Sequence, residues 1–197
     1  MSNLALYRNT ELHTRNITST TYRVSDDVIL VEGILKDERC GEIYSVETGE
    51  KIPASTVHEI SLRLLVEGPM LTVRDLEVDM TCIPHAECLQ TRESLQALIG
   101  QRIAPGFTEM VRKTFGGPRG CTHLNSLLLA MAPATVQGFW TLRVSRPHTF
   151  EEAIHGLDEG YLIDTCWVWR EEGDLARGIR SRHTGSHDRH PGNTPGD

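Results

Sequence analysis

The chain has 197 residues, 39% of them hydrophobic and 24% charged, and a formal net charge of -7. That length suits one domain with a sizeable core and is short for two. The acidic balance argues against nucleic acid as the main partner, because phosphate contacts need clustered lysine and arginine.

The N-terminus, Met1-Ser2-Asn3-Leu4-Ala5-Leu6-Tyr7-Arg8, lacks the apolar core of a signal peptide, and no apolar run is long enough to span a bilayer. A soluble, cytoplasmic protein with no membrane partner is expected. The five cysteines, Cys40, Cys82, Cys88, Cys121 and Cys166, show no repeated spacing. Reduced thiols fit that pattern better than a disulfide framework does.

The first half reads as strands. Val28 to Leu35 is β-rich, Lys36-Asp37-Glu38-Arg39 reads as a polar turn, and Glu42 to Val46 is placed to pair back. From His58 to Val66 the period is two: His58, Ile60, Leu62, Leu64 and Val66 share one face, so His58 is predicted to point to the core side. Gly68-Pro69 makes a turn and Leu71 to Met80 returns as the antiparallel partner, with a bulge where Asp75 breaks the alternation.

The second half turns helical. Thr91-Arg92-Glu93-Ser94 opens a short helix that Gly100 ends, and Pro105 or Gly106 opens a second, stopped by Gly116-Gly117. A third starts near His123 and runs to about Gln137, with Pro133 set to kink or divide it. Tyr161 to Arg170 reads as a last strand. Strands followed by helices imply an α+β fold: an antiparallel sheet from the N-terminal half packed against a helical C-terminal half, plus that late strand. Residues 1–172 read as a single α+β domain and 173–197 as a polar, disordered tail.

The chemistry concentrates at Gly116-Gly117-Pro118-Arg119-Gly120-Cys121-Thr122-His123-Leu124, where a glycine-rich turn delivers a cysteine and a histidine to a helix start. Unpaired amides and the helix dipole favour negative charge there, so a thiolate or bound anion is stabilised. Two chemistries compete for these residues. In the first, Cys121 is a nucleophile with His58 or His123 as base, and the amides of Gly120 to His123 hold an oxyanion. In the second, His58, Cys88, Cys121 and His123, with His85 nearby, hold zinc or an iron-sulfur cluster, although no paired CxxC motif is present.

A lone core histidine satisfied by one neighbour, and cysteines acting as small buried hydrophobes, are the plain structural alternatives. Glu59, Asp75, Glu77 and Asp79 read as the solvated side of the hairpin, although Asp79, next to the Cys82 loop, could orient a histidine. Among the tail histidines, His183, His187 and His190 are adventitious metal binders at most. No Walker loop, dinucleotide fingerprint or GxSxG elbow occurs.

With His58-Glu59 opening the alternating strand, Cys88, Gly100, Ile103-Ala104-Pro105-Gly106-Phe107, Gly116-Gly117, Gly120-Cys121-Thr122-His123-Leu124, Gln137 and Cys166, the chain resembles an uncharacterised bacterial domain-of-unknown-function family. That family occurs largely in proteobacteria. The resemblance runs from about Tyr22 to Arg170, and the Gly-Cys-Thr-His-Leu segment is its most specific part. Where relatives tend to have aspartate after the strand histidine, this chain has Glu59. The resemblance implies a bacterial, cytoplasmic protein and supplies no activity.

The expectation is therefore a small enzyme acting on an acyl or other carbonyl substrate, most concretely a thioester hydrolase. Catalysis falls to His58, Cys121 and His123, with an anionic part of a small-molecule substrate drawn by Arg112, Lys113 and Arg119. In that version no cofactor is required. The alternatives are a non-enzymatic zinc or iron-sulfur protein, and a ligand-binding or assembly module in which a hairpin edge pairs with a partner. Self-association into a homo-oligomer is left open.

Overall fold

The computed structural model describes residues 3–149, 152–153 and 163–187. The chain divides into two compact units, Met1–Arg143 and Val144–Asp197. In the first unit, four antiparallel strands form one sheet: β1 (His13–Arg23), β2 (Val28–Arg39), β5 (Ser55–Glu67) and β6 (Thr72–Cys82), in the order β1-β2-β5-β6. Two short strands, β3 (Ile43–Tyr44) and β4 (Lys51–Ile52), pair, among the described residues, only with each other. The segment Glu42 to Val46 thus pairs with β4 and not, as expected, back against β2.

One face of the sheet is apolar because alternation puts every second side chain on the same side. Ile29, Val31 and Leu35 of β2 and Ile60, Leu62, Leu64 and Val66 of β5 are all buried on it. The polar run Lys36-Asp37-Glu38-Arg39 is not a turn. It continues β2 to Arg39, paired with β1 on one side and β5 on the other, so Asp37 falls on the same face as Leu35. Ladder hydrogen bonds on both edges outweigh the loop preference of charged residues, as tertiary pairing commonly does. The bulge expected near Asp75 is present, with Arg74 the extra residue between the pairs Leu65–Asp75 and Val66–Val73.

After the sheet, Ala86–Leu98 forms a 3₁₀-type segment that begins before the expected Thr91. Its side chains support the tighter turn: Thr91 Oγ1 donates to the Cys88 carbonyl and Ser94 Oγ to the Thr91 carbonyl, each three residues back. Gly100, with φ +84°, closes it in the left-handed region that glycine tolerates. Helix α1 (Phe107–Phe115) buries Phe107, Val111 and Phe115. Helix α2 (Thr122–Val144) buries Leu124, Leu127, Leu128, Met131, Thr135 and Phe139, the spacing of one helical face. Pro133 lies inside α2 without ending it, and the helix extends past the expected Gln137.

Helix α2 lies close against the apolar sheet face. A Cβ on Gly33 of β2 would overlap the Met131 side chain and come within 2.9 Å of Leu127, and a Cβ on Gly138 would overlap Thr21 of β1. The helix start therefore sits at the Asp37 end of β2 and its later turns lie at the other end.

In the second unit, the strand expected from Tyr161 to Arg170 does not form over the described residues 163–170, which are turns. Tyr161 and Leu162 lie outside the described residues. A strand needs a ladder partner, whereas here the backbone closes locally, with the Asp164 amide donating to the Trp169 carbonyl at 2.9 Å. Trp167 is 80% exposed and carries the Arg170 guanidinium over its ring. In the stretch read as a polar tail, Asp174–His187 forms a helix, α3, which carries His183 and His187; residues 188–197, with His190, lie outside the described residues. Among the described residues, no helix is long and apolar enough to cross a membrane.

Candidate functional site

A single row across three strands builds the site. Arg15 of β1, Asp37 of β2 and His58 of β5 are direct partners in adjacent ladders, so their side chains leave the sheet side by side on the apolar face. Immediately beyond this row Val57 is an extra residue, because Asp37 pairs with His58 while Glu38 pairs with Thr56. The bulge ends the regular ladder at the site.

Asp37 is 1% exposed. A buried carboxylate is tolerated only when paired and hydrogen-bonded, and Arg15 does this with both arms: Nε donates to Oδ1 at 2.6 Å and Nη2 to Oδ2 at 2.7 Å. The Arg15 hydrogen bond holds the Asp37 carboxyl below the usual carboxylate range against the opposing effect of burial, with Arg15, His123 and His13 adding attraction. In return, Asp37 raises the Arg15 pKa.

Three imidazoles converge on that carboxylate. His58 Nδ1 is 3.1 Å from Oδ2, His123 Nε2 is 3.5 Å from the same oxygen, and the half-exposed His13 places Nε2 3.4 Å from Oδ1. The rings of His58 and His123 stack, with centroids 3.7 Å apart and planes inclined by 29°. Burial lowers the His123 pKa, and the nearby His58 and Arg15 lower it further while Asp37 opposes them. The net direction favours the neutral imidazole of His123 over its imidazolium.

The other nitrogen of His123 faces a thiol, with Cys121 Sγ 3.7 Å from Nδ1. The helix start positions both. The Cys121 carbonyl accepts the Asn125 amide at 3.0 Å, which makes Cys121 the residue that caps α2. Asn125 in turn anchors the start of α2 to the end of α1 by donating from Nδ2 to the Phe115 carbonyl at 2.7 Å. Gly120 is needed at this crossing, since a Cβ there would come within 2.5 Å of the Phe115 carbonyl.

The structure brings together His58, Cys121 and His123 as the sequence pattern suggested. Other expected residues lie elsewhere. Cys88, on the 3₁₀-type segment, joins neither the Asp37 group nor the Cys121–His123 pair. Arg112 and Lys113 sit on the exposed side of α1 and Arg119 just before Gly120, and none forms a hydrogen bond or ion pair with the cluster; the guanidinium at the site is Arg15. Asp79 is exposed on β6, and the orienting carboxylate is Asp37.

Sequence reading missed Asp37, Arg15 and His13. A signal did exist: the alternation Ile29, Val31, Gly33, Leu35 reaches Asp37 if the strand is not stopped at the charges, and His13, Arg15 and Ile17 alternate in the same way.

No curated protein and no solved structure matches the chain. A family model matches residues 13–137, a span that begins at His13, includes every residue of the cluster and ends within α2, short of Cys166. The chain accordingly belongs to the family described as Protein of unknown function (DUF2889).

Proposed function

We propose that this cluster is the active site of a hydrolase that cleaves an acyl substrate, most concretely a thioester, through Cys121. The observation that carries the reading is the series Cys121 Sγ, His123 Nδ1, His123 Nε2, Asp37 Oδ2, with separations of 3.7 and 3.5 Å at its two ends. A thiol on one ring nitrogen and a buried carboxylate on the other is the arrangement that activates a nucleophile.

A neutral His123 with its proton on Nε2 donates to Asp37 and leaves the Nδ1 lone pair for the thiol proton. Cys121 Sγ then attacks the acyl carbon, the substrate C–S bond breaks, and the leaving thiolate takes the proton from His123. Water, deprotonated by the same imidazole, hydrolyses the acyl-cysteine and returns the thiol. The Asp37 charge stabilises the imidazolium that forms in each half-reaction. In this reading the amides at the start of α2 stabilise the oxyanion, and the stacked His58 ring, itself held by Asp37, limits how far His123 can turn.

The test is mass spectrometry of the full chain incubated with short- and medium-chain acyl thioesters. A mass increase of one acyl group on Cys121, absent in Cys121→Ala, supports the reading. A Cys121→Ala protein that hydrolyses the same thioesters at the rate of the unchanged chain would overturn it.

A further inference from the structure

We infer that Asp37, His58 and His123 form a binding site for a late first-row divalent metal ion such as zinc, and that the ion competes with the thiol for His123. Asp37 Oδ2, His58 Nδ1 and His123 Nε2 offer three ligand atoms, all within 4.8 Å of one another. Zinc bonds to nitrogen and oxygen are about 2.0–2.2 Å, which in a tetrahedron separates neighbouring ligand atoms by about 3.4 Å. The two separations from Oδ2 are 3.1 and 3.5 Å. Both are close to that value, and the two nitrogens lie within 4.8 Å of each other, so an ion can be seated among the three atoms by small side-chain shifts.

The surroundings fit a held ion. Arg15 fixes the carboxylate through both oxygens, and Cys121 faces the nitrogen of His123 that the ion leaves free. A sulfur is a weaker acceptor than the carboxylates, carbonyls and waters that metal-bound imidazoles ordinarily donate to from their second nitrogen, but it leaves that nitrogen within reach of a partner. Two imidazoles with one carboxylate favour zinc and its neighbours over magnesium or calcium, which prefer oxygen alone. This ligand set differs from a cysteine-rich one, since neither Cys88 nor Cys121 belongs to the three.

Occupancy changes the state of His123. With Nε2 on the ion, the ring proton moves to Nδ1 and is donated to Cys121 Sγ, so the imidazole can no longer accept the thiol proton. The competition rests on the hydrolase reading; the binding itself does not.

Titration of the metal-free full chain with zinc chloride by calorimetry tests the binding. One ion per chain is expected, retained in Cys121→Ser and in a His183→Ala, His187→Ala, His190→Ala variant. In His58→Ala and His123→Ala, affinity should fall by more than the roughly 10–100-fold that an outer partner of a metal ligand carries. Cobalt(II) in the unchanged chain gives a second readout that does not depend on variants folding: visible d–d bands without thiolate charge transfer. Absence of stoichiometric zinc, undiminished binding in folded His58→Ala and His123→Ala chains, or a strong thiolate band would overturn the inference. None of these outcomes bears on acylation of Cys121, so the two readings fail separately.

Discussion

Asp37 and His58 are direct partners across the β2–β5 ladder, and His58 Nδ1 lies 3.1 Å from Asp37 Oδ2 while Arg15, the Asp37 partner on the other side, grips both carboxylate oxygens. The row gives the molecule a buried negative charge at the one end of the sheet that the start of α2 overhangs. Without Arg15 that charge would have no fixed cation, because each histidine around it is charged only when protonated.

Removing the guanidinium should therefore be costly. Breaking a buried pair from one side leaves an uncompensated charge and typically costs about 3–5 kcal/mol. The Arg15 side chain is 34% exposed, so water relieves part of this, and a loss of about 2–3 kcal/mol is expected for Arg15→Ala. Urea denaturation measures it. The double variant Arg15→Ala, Asp37→Asn should recover part of the loss, because the orphaned charge is then gone.

The acid limb of stability should follow Asp37. Its folded pKa lies below the ordinary value of 3.8, so its contribution is fully present above that value and disappears as pH falls through the folded pKa. His123 acts in a higher window. Its folded pKa lies below 6.5, so between the two values the unfolded chain binds more protons and stability falls on acidification from pH 6.5. Urea midpoints measured against pH on chelator-treated protein should decline below pH 6.5 in the unchanged chain and less steeply in His123→Gln. Equal slopes would contradict the assignment.

If His123 is the base for Cys121, its loss should act on turnover rather than on binding. General acid–base catalysis is worth about 10²–10⁴-fold, so His123→Ala should lower kcat by a factor in that range with KM little changed. Steady-state kinetics on the thioester that acylates Cys121 provides the comparison. Asp37→Asn should lower kcat in the same direction while leaving alkylation of Cys121 by iodoacetamide detectable.

Close packing sets a further expectation at Gly138. Alanine in a helix interior is favoured over glycine by about 1 kcal/mol, yet the added methyl would overlap Thr21, a β-branched residue with little freedom to move aside. Overpacking costs about 1–3 kcal/mol. The clash should win, and Gly138→Ala should lower the thermal midpoint. Gly178→Ala, where a Cβ meets nothing within 4 Å, should not lower it.

Periodicity alone was enough to put His58 on the buried face of a strand, because Ile60, Leu62, Leu64 and Val66 share its parity, and to start a helix beside Cys121 and His123, because Leu124, Leu127, Leu128 and Met131 recur at helical spacing. Both are local patterns, written in residues within two turns or one strand of each other. The identity of the central carboxylate was not legible in that way. Lys36-Asp37-Glu38-Arg39 has the composition of a turn, and it becomes a strand only because β1 and β5 pair with it on either side. The register between strands far apart in the chain then chose Arg15 and His58 as the neighbours of Asp37, and the overlay of α2 chose His123 and its thiol. Ladder pairing and helix-on-sheet packing are long-range interactions, and no window of a single sequence contains both of their partners.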